Sequence, residues 1–244
     1  GKIAMVTQDP MTSLNPLKKI GVQIQEAIEL HQGMRGREAK REAIHMLELV
    51  GIPDPERRYN QYPHEFSGGQ RQRVMIAAAM ICEPKLLIAD EPTTALDVTV
   101  QAQIVKLLKR INQKKGTAIL FISHDLSVMR FICDRIAVMY LGRIVELAST
   151  EQIFENTMHP YTEALLSAIP VVDPDNKRSR IVLEGDVPNP VHPPEGCHFH
   201  PRCKKCMDIC MHKKPELKRH MINGEEHFCA CHLYDQIPAG GSDD

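Results

Sequence analysis

Phe66-Ser67-Gly68-Gly69-Gln70, an Ala-rich run through Ala77-Ala78-Ala79, Leu86-Leu87-Ile88-Ala89-Asp90-Glu91-Pro92 and Leu96-Asp97 form the stretch on which the fold turns. Ser67 is a favourable helix N-cap, and the two glycines after it let a ligand approach the first amides closely. Such an N-terminus is an anion site, with phosphate the obvious anion. The helix is expected to run through Arg73, Val74 and the alanines until Pro84 stops it. Leu86 to Ala89 is a short apolar run of the kind found in a parallel strand covered on both faces. It ends in adjacent carboxylates, Asp90 and Glu91, at the strand end where open α/β sheets bind ligands. One carboxylate there can hold Mg2+ while the next orients or deprotonates a water. Alone, Ser-Gly-Gly is usually a loop and Asp-Glu a solvated helix start; the information lies in their order and spacing.

In that order the pieces resemble the signature motif, Walker B motif and D-loop of the ATP-binding cassette (ABC) ATPases. The opening, Ile3 to Val6 followed by Thr7-Gln8-Asp9-Pro10 and the turn-rich Met11 to Pro16, resembles the Q-loop of the peptide-uptake branch. Taken alone, Gln8 is a surface residue before a turn; the resemblance places it near the catalytic Mg2+ and water. Neither the P-loop, G-x-x-x-x-G-K-[ST], nor the aromatic that usually stacks on adenine occurs in the sequence. The chain is therefore expected to begin partway through the nucleotide-binding core, without the lysine and amide cradle for the β- and γ-phosphates.

Ile20, Ile24, Ala27 and Ile28 recur at helical spacing, as do Ala39, Ala43, Met46, Leu47 and Val50 before Gly51-Ile52-Pro53. By resemblance this is the helical subdomain that docks on membrane subunits; the plainer reading is ordinary helix packing. After Asp97, Val100, Ile104, Leu107, Leu108 and Ile111 predict a helix ending at Gly116, and Ala118 to Ile122 a buried strand ending in Ser123-His124-Asp125. A lone histidine is more often structural, but His124 matches the family's switch histidine, within reach of the γ-phosphate. Asp97 serves as an N-cap or, by resemblance, as part of a D-loop crossing a dimer interface. Asp125 to Phe131 is helical in pattern, and two strands flank Leu141-Gly142. His159-Pro160-Tyr161-Thr162, in a helix-like stretch from Thr150 to Ala168, also resembles the peptide branch. Pro170 to Pro194 has the composition of an extended linker.

The composition bounds the function. The 244 residues suffice for one α/β domain with an appendage, and 30 basic against 31 acidic residues argue against nucleic acid or anionic membrane as main partner. The lack of Trp argues against a base-stacking platform. Neither a signal peptide nor an apolar stretch of spanning length is present, so a membrane role is expected to come through a partner. Of eight cysteines, six fall between 197 and 231 among Pro, His and Lys, too little apolar sequence for a core of its own. That pattern points to a metal centre rather than disulfides. It matches the C-terminal motif of dipeptide and oligopeptide transporter ATPases, some of which hold a [4Fe-4S] cluster. The resemblance implies Cys197, Cys203, Cys210 and Cys231 as ligands. Cys206 and Cys229 are extra, and Cys203, Cys206, Cys229 and Cys231 form an alternative zinc set; free thiols are the third reading. Cys82 and Cys133 sit in apolar segments as ordinary core residues.

The resemblance thus implies an α/β fold, a partial RecA-like P-loop NTPase core of the ABC type with an inserted helical subdomain and a small Cys-rich extension. Residues 1–17 are expected as the Q-loop end of the core, and 18–80 as the helical subdomain with the signature. Walker B, D-loop and switch histidine fall in 81–148, a helix and Pro-rich linker in 149–194, and the tail in 195–244. It implies an ATPase subunit that energises uptake of di- or oligopeptides from the cytoplasmic face of the plasma membrane. Asp90 would hold Mg2+, Glu91 act as base with Gln8 and His124 beside it, and Ser67, Gly68, Gly69, Gln70 and Asp97 meet ATP across a subunit interface. Partners would be a second, paralogous ATPase subunit, two permeases and, through them, an extracellular peptide-binding protein, with no nucleic acid. Two other readings stay open: a non-catalytic partner completing another subunit's site, and a soluble cassette ATPase acting on nucleic acid.

Overall fold

The computed structural model describes residues 1–8, 13–94, 96–170 and 180–235. The turn after Gln8 at 9–12, Ala95 of the D-loop stretch, linker residues 171–179 and the last part of the tail, 236–244, lie outside the described residues. The chain divides into two compact units, Gly1–Val128 and Met129–Asp244.

In the first unit, β1 (Ile3–Val6), β2 (Leu86–Asp90) and β3 (Ala118–Ile122) form a parallel sheet in the order β1-β2-β3. The register sets Met5 beside Ile88 and Ile88 beside Leu120, so all three strands end at the same edge. Side chains alternate across the sheet. Val6, Leu87, Ala89 and Phe121 point to the buried face, while Ile3 (64%), Met5 (51%), Leu120 (51%) and Ile122 (42%) are exposed on the other. The double coverage expected of a parallel sheet is therefore met on one face only, among the described residues.

Between β1 and β2 lie α1 (Ile20–Gln32), α2 (Gly36–Leu49), the single turn α3 (Pro55–Arg58) and α4 (Gly68–Met80). The first, second and fourth pack on one another, and α4 also packs on β1. The predicted stripes face this junction: Ile20, Ile24, Ile28, Ala39, Ala43 and Leu47 are all almost fully buried. Burial of a large aliphatic side chain stabilises by roughly 1.5–3 kcal/mol, which makes the stripe the main support of the three-helix block. Gly21 is required at its centre, because a Cβ there would lie 1.9 Å from the Tyr59 ring. Helix α4 ends at Met80, before Pro84, and α5 (Val98–Lys115) ends at Gly116, whose φ of 66° is left-handed.

In the second unit, after α6 (Leu126–Ile132), β4 (Arg135–Tyr140) and β5 (Arg143–Ser149) form a hairpin through Leu141 and Gly142, both at positive φ. Two positive-φ residues make the tight turn that matches strand twist. The sequence predicts the cysteine tail as a segment apart from this hairpin. Instead β6 (Lys218–Ile222) and β7 (Glu225–Cys229) extend the same sheet, in the order β4-β5-β7-β6, with Glu146 opposite Cys229. This pairing groups β4 and β5 with the C-terminal region, although the sequence places them in the core segment 81–148. The turn between β6 and β7 is Asn223-Gly224, again both at positive φ.

The single helix-like pattern of residues 150–168 is two helices, α7 (Thr150–Glu155) and α8 (Pro160–Ser167). The break is held by Glu146. Its Oε1 accepts from the Met158 amide at 2.6 Å and its Oε2 from the His159 amide at 3.1 Å. Pro160 then opens α8 at the position where a missing N–H is harmless. His159 caps α8 by accepting from the Tyr161 amide at 3.1 Å, and its ring meets Phe199 in a cluster with Tyr140 and Tyr161. Residues 180–194 carry no helix or strand, and α9 (Asp208–His212) lies within the cysteine-rich region.

Candidate functional site

Parallel strands in the order β1-β2-β3 place three short polar segments at one sheet edge: Thr7-Gln8 after β1, Asp90-Glu91 at the end of β2, and Ser123-His124 after β3. Glu91 turns out of its strand at a φ of 44°, in the left-handed region, and its amide donates to the Ile122 carbonyl at 2.9 Å. A left-handed non-glycine residue costs on the order of 1–2 kcal/mol, and strain of this kind concentrates at functional positions.

The Glu91 carboxylate is where the predicted residues meet. Gln8 Nε2 donates to Oε2 at 2.9 Å, and His124 Nδ1 lies 3.3 Å from Oε1. Thr94, which the sequence reading did not select, donates its hydroxyl to Oε2 at 2.9 Å. These partners hold the Glu91 carboxyl below the usual range, the Thr94 hydroxyl first and the His124 hydrogen bond second, against a small opposing effect of burial. The carboxylate is ionised at neutral pH and open to water, with side-chain exposures of 26% for Glu91 and 69% for His124. Chemically, the cluster presents an anion held by three side chains and an exposed imidazole at the C-terminal edge of the sheet. Asp90, the last residue of β2, adds a second carboxylate beside it.

The signature residues and Asp97 form a second arrangement. Ser67 Oγ accepts from the Gln70 amide at 3.3 Å, while Gln70 Oε1 accepts from the Ser67 amide at 3.0 Å, a complete capping box. Asp97 caps α5 by accepting from the Val100 amide at 3.0 Å, so its N-cap role is realised. The two helix starts are in contact: a Cβ on Gly69 would lie 2.5 Å from Val100 Cγ1 and one on Gly68 3.8 Å from Leu96. The second glycine is thus required by packing, and ligand approach is not its only use.

Two arginines with no motif role tie this region to the end of α2. Arg73 donates to the Val50 carbonyl at 2.6 Å and to Gln103 at 3.0 Å, and Arg110 donates to the Leu49 carbonyl at 2.9 Å. Cations that satisfy the last carbonyls of α2 are favourable at a helix C-terminus.

In the second unit the thiols predicted as ligands are neighbours. The Cys197 amide donates to the Cys210 carbonyl at 2.8 Å. Gly196 permits this approach: its φ is 65°, and a Cβ would lie 2.3 Å from that carbonyl oxygen. Burial pushes the Cys231 thiol up to about 12, and the nearby Cys197, Cys203 and Cys210 add to the effect. Cys197 and Cys203 are also raised, by burial first, with Cys210 contributing to both. Members of the alternative zinc set are neighbours too: Cys203 lies near Cys206 and Cys231, and Cys229 is buried beside Glu146, Cys231 and Cys197. Among the described residues no three His, Cys, Asp or Glu side chains stand in an arrangement ready to hold a metal ion. The four thiols are near one another without being drawn into a ligand shell. Cys82 and Cys133 are half-buried free thiols, and burial raises Cys133 to about 11.

Comparison with known proteins agrees with both halves. Residues 1–94 match the ABC transporter family, and residues 145–210 match the oligopeptide/dipeptide transporter C-terminal region. The oligopeptide transport ATP-binding protein AppD of Bacillus subtilis is 47% identical over 96% of this chain and 70% of its own length. OppD of Haemophilus influenzae is 52% identical over 86% of the chain and 64% of its own length. The chain spans 64% of OppD and 70% of AppD. Among solved structures, the dimeric ATP-binding cassette MJ0796 bound to ADP and Pi is 32% identical, with a TM-score of 0.54 over 61% of this chain and 63% of that one. CbiO1 of Clostridium perfringens is 29% identical, with a TM-score of 0.57 over 64% and 61%. The fold is that of the ABC ATPases, and the chain belongs to the ATP-binding proteins of the oligopeptide and dipeptide ABC transporters.

Proposed function

We propose that the full-length subunit containing this chain hydrolyses ATP to drive uptake of di- or oligopeptides, as the nucleotide-binding subunit of an ABC transporter, and that this chain alone, without a P-loop, is inactive. The observation that carries the reading is the convergence of Gln8 and His124 on the Glu91 carboxylate at the C-terminal edge of three parallel strands. Glu91 is the general base, and Gln8 orients the attacking water. His124, exposed and loosely held, is free to turn to the γ-phosphate. Asp90 is the carboxylate that would hold Mg2+, which would neutralise phosphate charge. Ser67, Gly68, Gly69 and Gln70, at the start of α4, and Asp97, at the start of α5, meet ATP held by the P-loop of a second subunit. Catalysis is by positioning and charge.

The partners in this reading are a second ATPase subunit, two permeases and an extracellular peptide-binding protein. No helix among the described residues is long and apolar enough to cross a membrane, which fits a peripheral place on the cytoplasmic face. The test is ATP-driven uptake of a labelled peptide by the full-length subunit in proteoliposomes with its permeases. Glu91→Gln is expected to lower ATP turnover by about 100-fold or more, the scale of a lost general base. Undiminished turnover in Glu91→Gln would remove Glu91 from that role. ATPase activity stimulated by nucleic acid instead of peptide would move the protein to another class.

We also propose that Cys197, Cys203, Cys210 and Cys231 hold a [4Fe-4S] cluster. Their support is mutual proximity through the Cys197–Cys210 backbone bond and the fields that converge on Cys231. Such a centre cross-links chain segments and carries one-electron redox chemistry when bound. Anaerobic purification is expected to give brown protein with about four irons, and Cys197→Ser or Cys210→Ser to bleach it. Colourless protein with zinc, lost in Cys206→Ser or Cys229→Ser, would establish the other set.

A further inference from the structure

We infer that Thr94 is a positioning residue for Glu91: its hydroxyl fixes one carboxylate oxygen so that the other faces the water to be deprotonated. This rests on the reading of Glu91 as the base. Three donors surround that carboxylate, and they differ in origin. Gln8 comes from the end of β1 and His124 from the end of β3. In the proposed cycle both have a second task, on the water and on the γ-phosphate. Thr94 comes from the same turn as Glu91 itself. Its hydroxyl donates to Oε2 at 2.9 Å, and its amide donates to the Glu91 carbonyl at 3.3 Å. The carboxylate and its own turn are thus tied twice.

The asymmetry between the two oxygens gives the direction of the chemistry. Oε2 carries both short bonds, from Gln8 and Thr94, whereas among the described residues Oε1 has only the 3.3 Å approach of His124. Oε1 is therefore the oxygen that receives the proton once the imidazole turns away. Thr94 keeps Oε2 engaged when Gln8 and His124 move, which prevents rotation of a carboxylate carried on a left-handed backbone position. A donor to the charged form also favours ionisation, so Thr94 keeps the base deprotonated at lower pH.

The experiment compares Thr94→Val, Thr94→Ser and Glu91→Gln in the full-length subunit within its transporter. Thr94 is solvent-exposed, so the valine is expected to fold normally. Thr94→Val is expected to lower kcat about tenfold, the scale of one hydrogen bond to a charged group. KM for ATP should stay unchanged, and the acid limb of the pH–rate profile should move to higher pH. Thr94→Ser, which keeps the hydroxyl, should restore both. Impairment in Thr94→Ser equal to or greater than that in Thr94→Val would show that the hydroxyl is not what matters, and would overturn the inference. So would wild-type kcat and an unmoved acid limb in Thr94→Val while Glu91→Gln is inactive. A second readout is independent of turnover: carbon-13 NMR titration of the Glu91 carboxyl in this chain. Upward movement in Thr94→Val but not in Thr94→Ser supports the inference even if Glu91→Gln retains activity, in which case only the base assignment fails. No movement overturns it.

Discussion

Each unit of this chain holds a glutamate against a histidine, and the two pairs are built to opposite ends. Glu91 and His124 meet at 3.3 Å with most of the histidine in water. Glu146 and His227 meet at 2.7 Å, with both side chains fully buried. Glu146 also takes two backbone amides, Met158 and His159, so its charge is spread over three donors. A buried carboxylate survives only when satisfied in this way. Its position is then set by β5, β7 and the break before α8, and it cannot leave without unmaking them. The exposed pair is strained and solvated, and one of its members is loosely held. A proton acceptor needs one oxygen open to water, and a structural pin needs both of its oxygens covered.

The contrast predicts separable effects. In Glu91→Gln, turnover should fall by about 100-fold or more, while stability of the first unit changes by no more than about 0.5 kcal/mol, as at other surface positions. Denaturant titration alongside ATPase assays checks both, and a large loss of stability would break the comparison. Glu146→Ala should cost about 3–5 kcal/mol, because His227 and two amides lose their acceptor in a buried site. Chemical denaturation followed by tyrosine fluorescence reads this, since the second unit contains Tyr140, Tyr161 and Tyr234 and the protein has no Trp. A cost below about 1 kcal/mol, the value of an exposed pair, would show that Glu146 is no pin.

The smallest effect sharpens the comparison through pH. Burial pushes His159, beside Glu146, from 6.5 down to about 4, with the carboxylate only partly opposing it. Above pH 6.5 the ring is neutral in folded and unfolded chains, and its contribution to stability is complete. As pH falls from 6.5 to 4 the unfolded chain takes up a proton that the folded one refuses. Stability should therefore drop by up to about 3 kcal/mol over that window. His159→Asn keeps a cap for α8 and should remove this part of the slope. His198 and His220 are also lowered by burial, so the measured quantity is the difference between the two acid-unfolding curves. Identical curves would exclude His159 as their source.

Much of the first unit was legible because its signals are local. The Ser67 cap, the Asp97 cap and the left-handed Gly116 each depend on residues within one turn. Gln8, Glu91 and His124 were recognisable from motif order, and parallel topology then brings strand ends together. Thr94 was hidden because a threonine in a polar turn is ordinary until its hydroxyl is seen on Glu91. In sequence Gly69 looks like an opening for a ligand, whereas Val100, which is distant in sequence, fills the space. The β6–β7 hairpin had a signal in Asn223-Gly224, a strong two-residue turn, but the surrounding cysteines drew the reading to metal. Its pairing with β5 is non-local and has no sequence signature.

The sequence by itself determined the family, the helix caps, the strand ends and the identity of the exposed catalytic candidates. Those features follow from short-range chemistry: a cap needs its side chain within three residues, and a strand end needs a change of polarity. Only the tertiary structure decided that Glu146 is buried against His227, that the tail completes a sheet begun at β4, and that the Thr94 hydroxyl meets the Glu91 carboxylate. Each of these depends on groups brought together by packing, where the cost of an unsatisfied polar atom selects the partner.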